Sequence, residues 1–129
     1  MKRSVLVVLL LLAAPIAGVA QEGPAALAHD VYFALNHTSA AARSDLVAAC
    51  RRHLTGHDGV LAFSVGVLAA DLARPVNDRG FDVALHITFA NRAAHDAYQE
   101  HARHKQFIAE QQKNWKKVRV FDSIVEVVK

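Results

Sequence analysis

From His29 to Asn36 the chain alternates, with His29, Val31, Phe33 and Leu35 on one side and Asp30, Tyr32, Ala34 and Asn36 on the other. A period of two predicts a strand with one covered face. Ala42, Leu46, Ala49, Cys50, His53 and Leu54 then recur at helical spacing over Ala40–Thr55, between a capping Ser39 and a terminating Gly56. A second strand is predicted over Val60–Ala69, with Leu61, Phe63, Val65 and Val67 together, and a third over Phe81–Phe89. Pro75, Asn77, Asp78 and Gly80 between them supply turn chemistry. Asn91 caps a helix over Arg92–His101; a further helical piece covers Lys105–Trp115, and a last strand runs Lys117–Val125. The order β-α-β-β-α-β is that of an α+β, ferredoxin-like fold with helices on one sheet face.

The opposite sheet face carries Tyr32, Ala34, Ser64, Gly66, Ala84, His86, Thr88, Phe121 and Ser123. A solvated antiparallel face normally alternates to charged residues, and none of these is Lys, Glu or Asp. A second copy of the chain, packed on Tyr32, Ala34, His86, Thr88 and Phe121, is the simplest cover.

Composition changes the picture only once the leader is set aside. Lys2 and Arg3, the apolar run Val5–Ala14 and the small-x-small end Gly18-Val19-Ala20 form a secretory signal peptide in residues 1–20. The run is shorter than the about 20 apolar residues of a bilayer span, so no stable membrane anchor is expected after cleavage. The expected location is therefore periplasmic or secreted. Residues 21–28, with Gly23 and Pro24, read as a tether, which leaves one domain over 29–126. Of 15 basic residues 13 remain against 12 acidic, a net of +1, so the overall +3 gives no reason to expect a nucleic-acid partner. Cys50 is the only cysteine, at helical spacing with Leu46 and Leu54, which predicts a buried thiol and excludes an intramolecular disulfide.

The ordered set Phe89-Ala90-Asn91, Tyr98-Gln99-Glu100-His101-Ala102-Arg103-His104, Phe107 and Val120-Phe121-Asp122, with the opening His29-x-Val31-x-Phe33, resembles the stress-responsive dimeric α+β barrel family. The resemblance covers about His29 to Ile124 and implies a homodimer, the sheets of two copies pairing as one barrel. It also implies a cavity between sheet and helices, lined by His29, Val31, Phe33, Leu46, Leu85, Tyr98, His104, Phe107, Trp115, Val118 and Val120. Similar proteins include noncatalytic stress-associated members and a polyketide cyclase whose matching Tyr and His act at that cavity. Two functions follow as expectations. One is binding of a small apolar or aromatic compound. The other is cyclase- or lyase-like chemistry with Tyr98 as proton donor and His104 as base. A haem-handling or oxygenase barrel of the same architecture is a third reading, without a distinctive motif here.

Two features bear on the site. Ala102 stands where the family usually has Pro, so the helix break before His104 loses its usual cause. On a continuous helix Tyr98 and His104 would lie about 240° apart. His95, His101 and His104 cluster in sequence, but no Cys or Glu completes a ligand set, so no metal or other cofactor is expected. Asp122 is expected to bond a nearby backbone group.

Overall fold

The computed structural model of the protein describes residues 25–128; the leader and residues 21–24 of the expected tether lie outside them. Strand β1 (Ala26–Leu35) is followed by α1 (Ala40–Leu54), β2 (Val60–Val67), β3 (Val83–Phe89), α2 (Arg92–Glu100), α3 (Ala102–Gln111), a 3-10 turn over Gln112–Asn114 and β4 (Trp115–Val125). The four strands form one sheet in the order β2-β3-β1-β4, every neighbouring pair antiparallel. No helix among the described residues is long and apolar enough to cross a membrane.

Boundaries shift where pairing overrides local pattern. β1 starts at Ala26 instead of His29, because Leu27 is buried between Phe89 on β3 and Ile124 on β4; residues 26–28 are strand, not tether. Trp115 opens β4 opposite Leu35 and does not end a helix. β3 starts at Val83, since Phe81 and Asp82 lead into it from the turn. The buried Asp82 carboxylate accepts the Leu35 N–H at 2.9 Å and the Arg43 Nε–H at 3.2 Å.

The core lies between the sheet and the helices. Leu46, Ala49, Cys50, His53 and Leu54 are the buried stripe of α1, and Ser39 caps its start by accepting the Ala42 N–H. Leu46, Ala49, Cys50 and Leu54 pack with Phe33, Val83, Leu85, Ile87 and Phe89 of the sheet; each fully buried Leu, Ile or Phe contributes about 1.5–3 kcal/mol. Gly59, at φ 77°, is required twice over: the conformation disfavours other residues, and a Cβ there would come within 2.5 Å of the Ala94 Cβ on α2.

In β2 the expected alternation fails at its start. Val60 pairs with Phe89 and Ala62 with Thr88, so Leu61 is the extra residue of a bulge and is 55% exposed. Phe63, Val65 and Val67 do sit opposite Ile87, Leu85 and Val83.

The face away from the helices is also not charge-free. The register puts Asp30, Lys117 and Arg119 on it, beside Tyr32, Ala34, His86, Thr88 and Phe121. Asp30 accepts from His86 Nδ1 at 2.7 Å, and Arg119 binds Asp78 of the β2–β3 loop at 2.6 Å. Asp30 and Arg119 are thus paired within the chain. Tyr32 lies among the rings of Phe81, His86 and Phe121, with centroids 4.9, 5.8 and 5.8 Å away. Between this face and residues 68–81 of the loop is an open concavity of about 520 Å³.

Candidate functional site

Alternation in β1 aims His29, Val31 and Phe33 at the helices, and antiparallel pairing sets Asp122, Val120 and Val118 of β4 beside them. His29 is buried and donates from Nδ1 to Asp122 Oδ1 across 2.6 Å, so Asp122 meets a side chain rather than backbone.

Tyr98 lies in the last turn of α2 and is 2% exposed. The helix stops two residues later without a proline. His101 turns extended (φ −67°, ψ 140°), its N–H bonds the Tyr98 carbonyl, and its ring Nδ1 accepts the Arg103 N–H at 3.1 Å. One residue therefore ends α2 and caps α3. The new helix direction carries His104 back over Tyr98, with ring centroids 4.5 Å apart. The break that Ala102 placed in question is made by the histidine before it.

His104 Nδ1 donates to the Gln99 carbonyl at 3.1 Å, which leaves Nε2 as a bare acceptor. Burial, followed by the neighbouring His29, His57 and His95, holds its pKa below the usual histidine value against the opposing Gln99 bond. Burial also pushes the Tyr98 phenol up. At neutral pH the pair is a neutral base beside a protonated donor. Cys50 is fully buried and its thiol is pushed up to about 12 by burial, so it offers no nucleophile.

These side chains wall a cavity of about 390 Å³. His29, Val31, Phe33, Leu85, Tyr98, His104, Phe107, Trp115, Val118 and Val120 line it; Leu46 does not. Leu46 is core, at a smaller concavity with Leu35 and Gln111. Leu54, on the same stripe eight residues and roughly 12 Å along the helix, reaches the site instead. Sequence reasoning also missed His95, Gln99, Ile108 and Asp122. His95 lies three residues before Tyr98, and so on its face of α2, and Asp122 continues the alternation of Val118 and Val120. Phe33, Phe107 and Trp115 form the apolar end, with centroids 5.1 to 6.2 Å apart. The buried Trp115 Nε1–H has no acceptor among the described residues.

The histidines do not gather as their sequence clustering suggests. His101 stacks edge-on to His57 at 4.6 Å, and His104 sits on Tyr98. His95 meets His29 and Asp122, and one donor atom from each of these three lies within 4.8 Å of the others.

Residues 27–125 match the family model of the Stress responsive A/B Barrel Domain, Dabb. No curated protein matches the chain. Among solved structures, a Dabb family protein with a ferredoxin-like fold from Mesorhizobium loti aligns with a TM-score of 0.66 at 21% identity, covering 80% of this chain and 99% of that one. A dimeric ferredoxin-like protein of unknown function from Thermobifida fusca aligns at 0.67 and 16% identity, covering 79% and 92%. The hydroxynitrile lyase of Passiflora edulis aligns at 0.65 and 20% identity, covering 83% and 99%. At these identities the likeness is one of fold.

Proposed function

The chain belongs to the stress responsive A/B barrel domain family, and on that premise we propose that it is an exported homodimer binding a small apolar or aromatic compound that carries a carbonyl or hydroxyl oxygen. One observation carries the reading. The 390 Å³ cavity is apolar along Val31, Phe33, Leu85 and Phe107, and its polar groups converge where the Tyr98 and His104 rings meet at 4.5 Å. An apolar pocket with a few converging polar groups is the usual form of a small-molecule site. The phenol supplies a hydrogen-bond donor and His104 Nε2 an acceptor, which selects for an oxygen at that end of the ligand. Export rests on the basic start and apolar run of the leader, and the homodimer on the uncovered sheet face around Tyr32 and Phe121.

The test is a thermal-shift screen of small aromatic carbonyl and phenolic compounds against the protein. A ligand at a hundredfold its Kd raises stability by about 2.7 kcal/mol, and Phe107→Ala should weaken the response. A screen without any response, or hits indifferent to Phe107→Ala, would sink the proposal.

A second reading, acid–base chemistry on a carbonyl compound, is favoured by the fixed tautomer of His104 beside a protonated phenol. The Passiflora neighbour, named a hydroxynitrile lyase, fits that class of chemistry. If turnover occurs, His104→Ala and Tyr98→Phe should each abolish it with little change in ligand affinity, since both act in the transition state. Equal losses of affinity and rate would return the pair to plain binding.

A further inference from the structure

We propose that His29, His95 and Asp122 form a binding site for a zinc-like divalent transition-metal cation at the wall of the cavity. The three come from different elements. His29 and Asp122 are brought together by the β1–β4 register, and His95 reaches them from α2, its ring centroid 5.2 Å from that of His29. One donor atom of each lies within 4.8 Å of the other two. Two imidazole nitrogens and one carboxylate oxygen suit zinc and its first-row neighbours and leave a coordination position open. Calcium and magnesium, which prefer all-oxygen ligands, are disfavoured.

The surroundings point the donors at one another. His95 Nδ1 donates to Asp96 Oδ1 at 3.0 Å, and Arg92 holds that carboxylate at 3.1 Å. The ring is thereby fixed in the tautomer whose Nε2 is bare, the arrangement that orients metal-binding histidines. That Nε2 meets only the Gln99 amide, at 3.2 Å, a neutral donor that a cation displaces. His29 Nδ1 donates its proton to Asp122 Oδ1 across 2.6 Å. The cation takes the place of this proton, which moves to the far ring nitrogen Nε2 so that the imidazole stays neutral, and the two donors open to about 3–3.5 Å around bonds of about 2.0–2.2 Å. His29 is buried, whereas the Asp122 side chain is 46% exposed, so the site has a rigid inner ligand and a solvent-facing entrance. The ion would not need an organic ligand in the cavity.

The experiment is calorimetric titration of the chelator-treated protein with zinc chloride, in two buffers of different ionisation enthalpy. A parallel titration with cobalt(II) is followed by visible absorption. The expected result is one zinc per chain with no net proton release, and a cobalt spectrum of low coordination number. His95→Gln and Asp122→Asn should each weaken binding by at least about 10- to 100-fold, while His37→Gln, at an exposed histidine outside the cavity, leaves it unchanged. His95 and Asp122 are partly solvent-facing, and matching circular dichroism confirms that the variants stay folded. No zinc binding by the parent overturns the proposal, as does binding unchanged in both ligand variants or lost in His37→Gln. A failed organic-ligand screen leaves this titration untouched, so the two readings fail separately.

Discussion

Replacing Ala102 with proline should stabilise this protein, against the usual expectation for proline within a helical stretch. Ala102 is the first residue of α3, where the N–H has no intrahelical acceptor and a φ near −65° is already needed. Proline also drives the preceding residue to extended backbone, and His101 already lies there at φ −67°, ψ 140°. The native structure therefore loses nothing while the unfolded chain loses freedom, which contributes about 0.4–1 kcal/mol. At about 4–8 °C per kcal/mol for a domain of this size, the midpoint should rise by about 2–8 °C. The opposite variant, His101→Ala, removes the ring that accepts the Arg103 N–H and should cost up to about 1–2 kcal/mol, as cap losses do. Thermal unfolding by circular dichroism reads both. A lower midpoint for Ala102→Pro would show that α2 and α3 are not broken as described, and the meeting of Tyr98 with His104 would fall with it.

Acid should destabilise the fold through His104 and His57, whose pKa values burial holds below the usual one. Their contribution is complete above about pH 6.5 and is lost as pH falls toward the folded-state values, because the unfolded chain takes up protons first. Urea midpoints compared at about pH 7.5 and about pH 5 should separate by less in His104→Gln than in the parent; equal separation refutes the assignment. Cys50, fully buried with its thiol raised to about 12, should resist thiol reagents until the protein unfolds, and rapid labelling of the native protein would contradict this. Thr88→Arg on the uncovered sheet face should yield monomers or insoluble protein by light scattering, since an unpaired charge in a dry interface costs several kcal/mol. A parent that is already monomeric at micromolar concentration would remove the homodimer.

Elements whose faces differ in polarity were legible in the sequence. β1 and β3 alternate cleanly, and the α1 stripe repeats every three or four residues because one side meets the sheet. The helix break was not legible, because its cause is a histidine in extended backbone whose ring caps the next helix, rather than a proline. The bulge escaped for another reason: Val60 and Leu61 are both apolar, so pattern alone cannot say which one faces inward. The site was half legible. Residues recurring along one strand or one stripe could be extended to Asp122 and Leu54, but the approach of His95 to His29 depends on how α2 lies across the sheet. Arg119 and Lys117 share the parity of Phe121 and Ser123 along β4, so period-two alternation already puts them on the uncovered face.

The slipped register at Leu61 governs how this sheet can end. An open four-stranded sheet has two outer strands whose unpaired N–H and C=O groups are a template for a foreign strand. On β2 the extra residue puts the donors and acceptors out of step, so an incoming strand finds only the short stretch Phe63–Val67 in regular spacing. On β4 the outer strand bears Lys116, Lys117 and Arg119, whose charge repels a like strand laid beside it in parallel. Endless lateral growth, the route to fibres, is thus obstructed at both margins. Contact through the flat of the sheet is left free, and a pair stacked face to face would use up both flats and stop there.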